Sequence, residues 1–135
     1  MSAMSDYLED KLREYIFRGG TFTQPTNLYV ALFTAAPSDS GGGTEVSGGS
    51  YARVQVACAS GNWTEPDATG GAVNNTNAIT FPTATGSWGT CTHFGIFDAS
   101  SAGNLLFHGA LTASKAVGSG DTISFAAGAL VVTFA

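Results

Sequence analysis

Basic residues are nearly missing from this chain: Lys11, Arg13, Arg18, Arg53 and Lys115 are the only five in 135 residues. Ten acidic residues bring the net charge to −5 and the pI to about 4.6. No cluster of cations could follow a phosphate backbone, so nucleic acid is not an expected partner. An acidic surface is also a poor match to anionic lipid. No stretch approaches the roughly 18 apolar residues that a helical membrane span requires, so no membrane partner is expected. The N-terminus carries Asp6, Glu9, Asp10 and Glu14, which is the wrong chemistry for a signal peptide. A chain of this kind is expected to be made and assembled in a cytoplasm.

Charge of either sign is scarce too, at 11% of residues against a usual share of about 25%. Small polar residues replace it. Such a surface suits a protein that lies against copies of itself or against other proteins. Cysteine is limited to Cys58 and Cys91. Neither has a CxxC partner or a histidine at ligand spacing, so no zinc site is expected. Two thiols without an export signal are expected to stay buried and reduced rather than to pair.

What the chain holds is 44% hydrophobic residues and 18 glycines, enough for one domain spanning 1–135. Seven of the fifteen charges fall within residues 1–18, which places a composition boundary near Gly19-Gly20. Ser5 is a suitable N-cap, and Asp6 and Glu9 complement the dipole that follows. Leu8, Leu12, Tyr15 and Ile16 form one apolar stripe, and Gly19-Gly20 supplies a C-cap. Residues 5–18 therefore read as one amphipathic α-helix. It either covers one end of the core or docks into a neighbouring subunit through that stripe.

From about residue 26 onward the pattern is that of strands. Residues 27–34 (NLYVALFT) are apolar on both faces, as in a doubly buried strand. Residues 52–59 alternate, with Val54, Val56 and Cys58 inward and Arg53 and Gln55 outward. Further strands are expected at 78–81, 88–98, 104–111, 122–125 and 129–134. The second and third of these form a hairpin about Ala99–Gly103, and the last two flank Ala126-Ala-Gly128 as a pair. Short strands and frequent turns predict a mainly β fold, an antiparallel, jelly-roll-like β-sandwich carrying one N-terminal helix. Residues 36–50 and 61–77 read as two long mobile loops.

Catalytic constellations are thin. His93 and His108 fall on the expected hairpin and could hold a metal with Asp98, but no third ligand has a specific spacing, so two surface imidazoles are the preferred reading. Asp39, Glu45, Glu65 and Asp67 lie on loops, where the fixed carboxylate separation of a glycosidase is not expected. Gly41-Gly-Gly43 lacks the Lys-Ser/Thr of a phosphate loop. We expect no enzyme activity and no cofactor. The conspicuous side chains are aromatic. Strand residues cannot all point inward, which makes Phe33 and Phe97 candidates for a subunit contact. Trp63 is the one large apolar residue of the second loop, and either it or Trp88 could offer a stacking platform for a carbohydrate-binding module.

Four segments, Leu28–Ala35, Gly42–Arg53, Trp88–Asp98 and Gly103–Thr112, together resemble a family of small tailed-phage and prophage virion proteins, often labelled tail fibre or phage structural protein. The likeness runs from about Tyr7 to Phe134. The resemblance implies a non-enzymatic structural protein of a tailed-phage virion. Its partners would be copies of itself and other virion proteins, such as the major capsid protein or tail proteins. Two placements follow. A multi-copy capsid decoration (cement) protein is the preferred expectation, because the chain lacks heptads, triple-helical repeats and a stalk. A tail-fibre or baseplate component involved in host attachment is the alternative. The expected assembly contacts are Leu8, Leu12, Tyr15, Ile16, Phe33, Trp63 and Phe97.

Overall fold

A computed structural model describes residues 2–65 and 70–134. A short strand β1 (Ser2–Met4) leads into helix α1 (Asp6–Phe17). The helix forms where the residues require it. The Ser5 hydroxyl accepts the Leu8 N–H at 3.2 Å, which satisfies one of the free amides of the first turn. At the other end Gly19 takes φ +72°, and the Arg18 and Gly20 N–H groups both donate to the Glu14 carbonyl. A left-handed residue after the last turn favours glycine for this reason.

Ten further strands follow: β2 (Asn27–Ala35), β3 (Thr44–Glu45), β4 (Val54–Ala57), β5 (Trp63–Thr64), β6 (Ala72–Asn75), β7 (Ile79–Thr80), β8 (Gly89–Phe97), β9 (Leu105–Val117), β10 (Ser124–Phe125) and β11 (Val131–Thr133). One antiparallel six-stranded sheet has the order β1-β9-β8-β2-β3, with β4 also paired to β2. Against it lie a two-stranded sheet (β10-β7) and a three-stranded sheet (β11-β6-β5). The fold is thus mainly β, sandwich-like and antiparallel, with one helix.

The sandwich is shown at the level of its layers, not as a jelly roll. A jelly roll divides about eight strands between two comparable sheets through two Greek keys, whereas here one broad sheet is backed by two small ones. The pairing of 122–125 with 129–134 is also corrected: β10 pairs with β7, and β11 with β6. The reason lies in Asn75, whose Nδ2 donates to the Ala126 carbonyl and whose backbone carbonyl accepts from Gly128. These bonds hold the intervening turn against β6 and send the two strands to different sheets. The segments 36–50 and 61–77, read as loops, contain β3 in one and β5 and β6 in the other.

The core lies between the two layers. Val30, Leu32, Phe94 and Ile96 of the broad sheet meet Ile79, Phe81, Ile123, Leu130 and Val132 of the second layer. Fully burying such a side chain contributes about 1.5–3 kcal/mol relative to leaving it in water. The doubly buried reading of β2 is borne out, since Val30, Ala31, Leu32 and Phe33 are all buried. The hairpin reading of β8 and β9 is borne out as well. Cys58 and Cys91 are both free thiols, Cys91 fully buried. No described helix is long and apolar enough to cross a membrane.

Candidate assembly surface

Helix α1 divides sharply along its length. Leu8 is buried in the main core, and Leu12 is half-buried against it. Tyr15, Ile16 and Phe17, by contrast, are 58%, 64% and 81% exposed. Successive helix residues point about 100° apart, so these three fan over roughly 200° of the circumference, more than the stripe of about 100° that one neighbouring surface covers. The chain therefore leaves the end of the helix as an apolar knob. Two exposed ion pairs flank it, Arg13–Asp10 at 2.6 Å and Arg18–Glu14 at 3.0 Å; exposed pairs of this kind contribute little stability. Phe17 lies off the heptad-like stripe and was missed by the periodicity. Its signal was the local run Tyr-Ile-Phe just before a glycine C-cap.

Phe33 and Phe97 stack on each other, with ring centroids 6.2 Å apart and planes 14° from parallel. Phe33 is only 2% exposed, which leaves almost none of its ring for a subunit contact. With Leu105 the two rings floor a cleft of about 530 Å³, rimmed by Asp6, Asp39 and Asn104. Gly95 makes room for this stack: a Cβ there would sit 2.7 Å from the Phe33 ring.

Arg53, read as facing outward, is in fact held inside this region, with its side chain 7% exposed. Its guanidinium lies 3.7 Å above the centre of the Phe97 ring and grips both oxygens of Glu45, each at 2.8 Å. It also donates to the carbonyls of Ala99 and Ala102, locking the β8–β9 turn. The Tyr51 hydroxyl donates to Glu45 at 2.7 Å and accepts the Leu32 N–H at 3.0 Å. Burial pushes the Glu45 carboxyl up, but the hydrogen bonds from Arg53 and Tyr51 and the Arg53 charge outweigh it and hold the group below 4.5. Burial raises the Tyr51 phenol well above its ordinary value. The network is a clamp: a planar cation with five donors satisfies a carboxylate and two carbonyls at once.

The remaining polar residues do not converge. His108 donates its Nε2–H to Asp39 Oδ1 at 2.7 Å, His93 pairs with the Thr92 hydroxyl, and Asp98 accepts from Asn104. His108, with 14% of its side chain exposed, is more buried than the surface imidazole expected. Among the described residues no three His, Cys, Asp or Glu side chains come together as metal ligands. Trp88 is buried and donates its Nε1–H to the Gly49 carbonyl at 2.9 Å, which removes it as a stacking platform. Trp63 is half-buried beside Gln24 and Glu65 in a shallow groove. Asp67 lies outside the described residues.

A search of curated proteins finds no match to this chain. A family model described as Podophage GP4 fiber I protein gp80 matches residues 3–133, close to the span over which the sequence resembles tailed-phage virion proteins. The match takes in the exposed helix end, the Arg53 clamp and both layers of the sandwich. The chain belongs to this family of phage fibre proteins.

Proposed function

We propose that this chain is a non-enzymatic structural component of a tailed-phage fibre, built into the virion through the apolar end of α1. Membership of a family described as a fibre protein favours the tail-fibre alternative over capsid decoration. The observation that carries the assembly reading is the knob of Tyr15, Ile16 and Phe17, three consecutive large side chains each more than half exposed, whereas the other exposed large apolar residues among those described, Val131 and Phe134, are each less than half exposed. Isolated exposed apolar residues are ordinary, but a contiguous group on a helix end marks a contact. In this reading the β-sandwich is the rigid body and the helix end is the plug.

The proposal meets its test in purified particles. The triple variant Tyr15→Ser, Ile16→Gln, Phe17→Ser is expected to fold, because it touches no core residue, and to be lost from particles. Normal incorporation of a folded triple variant would refute the helix-end contact. Labelling of the chain over the whole capsid lattice, rather than at the tail, would refute the fibre reading.

A further inference from the structure

Strand β9 leaves its ladder part-way along. Ala110 faces His93 and Lys115 faces Cys91, so residues 111–114 bulge away from β8 between those two pairs. The bulge makes one wall of an open cleft of about 660 Å³, and residues from the segment 122–133 make the other. Phe94, Leu111, Phe125 and Leu130 give the cleft an apolar lining. Val131, on the second wall, is 46% exposed. Lys115 is the one charged residue of the lining, and it makes no ion pair among the described residues.

The convex counterpart of this cleft is the end of α1. Tyr15, Ile16 and Phe17 fan over roughly 200° of the helix, so a flat surface covers only part of the group and a two-walled cleft is needed to cover all of it. The helix end is also negative, by about half an elementary charge. No basic residue lies in its last turn, and Arg18, just beyond, is held by Glu14 at 3.0 Å. Lys115 therefore matches it in sign. Two other clefts do not, since Asp6 and Asp39 rim the one over Phe33 and Phe97, and Glu65 rims the Trp63 groove. Within one chain the knob and the cleft stay apart. The helix starts where the Ser5 N–H donates to the Leu106 carbonyl, the cleft lies farther along β9, and the exposure of Tyr15, Ile16 and Phe17 shows that their own cleft does not cover them.

We propose that the cleft receives the apolar end of α1 from a second copy of the chain, with Lys115 against the negative end of that helix. Knob and socket are different patches of one surface, so the contact is heterologous: each pair leaves one knob and one socket free, and copies add head to tail. The proposal rests on reading the helix end as the assembly contact, and it names what that end enters.

Sedimentation of the purified full chain over a range of concentrations tests it. The parent chain is expected to self-associate. Phe17→Ser on the knob is expected to weaken association by about tenfold or more, the size of an interface hot spot. Ala113→Glu and Ala129→Glu, each at an exposed residue of the cleft, are expected to do the same independently. Neither kind of variant should associate alone, yet an equimolar mixture of the two, which has one intact knob and one intact socket, should form a complex that stops at two chains. Recovery in the mixture also shows that both variants are folded. Cleft variants that associate as the parent does would overturn the proposal in favour of a knob-to-knob contact. A mixture that stays monomeric would overturn it outright. A parent chain that is monomeric up to about millimolar concentration, but is lost from particles by the triple helix variant, would overturn the second copy as partner and leave the fibre reading standing. Head-to-tail association of a chain that labels the capsid lattice would refute the fibre reading and leave this contact standing.

Discussion

Replacing Arg53 by Met keeps a side chain of similar length against Phe97 but removes the cation that holds Glu45, Ala99 and Ala102. Breaking a buried ion pair from one side costs about 3–5 kcal/mol, because the other charge is left without its partner. Glu45 is 25% exposed, so water recovers part of this and the cost falls toward about 3 kcal/mol. Loss of the cation over the ring adds on the order of 1 kcal/mol. The sum of about 4 kcal/mol is a large share of a domain stability of about 5–15 kcal/mol. It corresponds to a fall in Tm of about 12–16 °C for a chain of this size.

The pH dependence is the sharper test. In the native protein Glu45 lies below 4.5, so its contribution is fully present above that value and is lost as pH falls through the lower folded one. Without Arg53 the burial that remains pushes the carboxyl upward, and acid relieves the strain. The deficit of Arg53→Met is therefore largest at neutral pH and shrinks as pH falls toward about 4. Urea unfolding followed by tryptophan fluorescence at both pH values measures it. Glu45→Gln keeps the donors of Arg53 partly satisfied and should cost about half as much at pH 7. A loss under about 0.5 kcal/mol at pH 7, the size expected of a surface pair, or a loss that acid leaves unchanged, would refute the clamp.

Other substitutions probe the rest of the molecule. Gly95→Ala drives a methyl into the Phe33 ring and is expected to cost about 1–3 kcal/mol by overpacking, with a changed near-ultraviolet circular dichroism spectrum. Asn75 is 1% exposed and bonds to Asn77, Ala126 and Leu130; Asn75→Ala should cost about 2–4 kcal/mol and speed amide exchange at Leu130 first. Leu8→Ala, in the buried half of the helix, should cost about 2–4 kcal/mol in chemical denaturation. Phe17→Ser, at the exposed end, should stay within about 0.5 kcal/mol of the parent in the same assay.

Helix α1 and strand β2 were legible because their signals are local. A serine cap, a stripe and a glycine stop define the first, and a run of alternating large apolar residues defines the second. β1 and the second half of β9 were not legible. Ser-Ala-Met and Lys115-Ala116 have little strand propensity, and they are extended because a distant strand pairs with them. The outward reading of Arg53 failed for a related reason: alternation along a strand says which side a residue faces, not what waits there. Tyr15 and Ile16 were singled out from the stripe, but nothing in the stripe says where the protomer stops covering it.

The sequence by itself determined the charged helix, the weakly charged β-domain behind it and the absence of a spaced catalytic motif, since each depends on residue type and neighbours along the chain. Tertiary structure alone decided that the helix ends in an uncovered apolar knob, that Arg53 is a buried clamp and that the last two strands part to different sheets. Those features depend on which distant segments meet: a residue becomes a core residue or a contact only through what covers it.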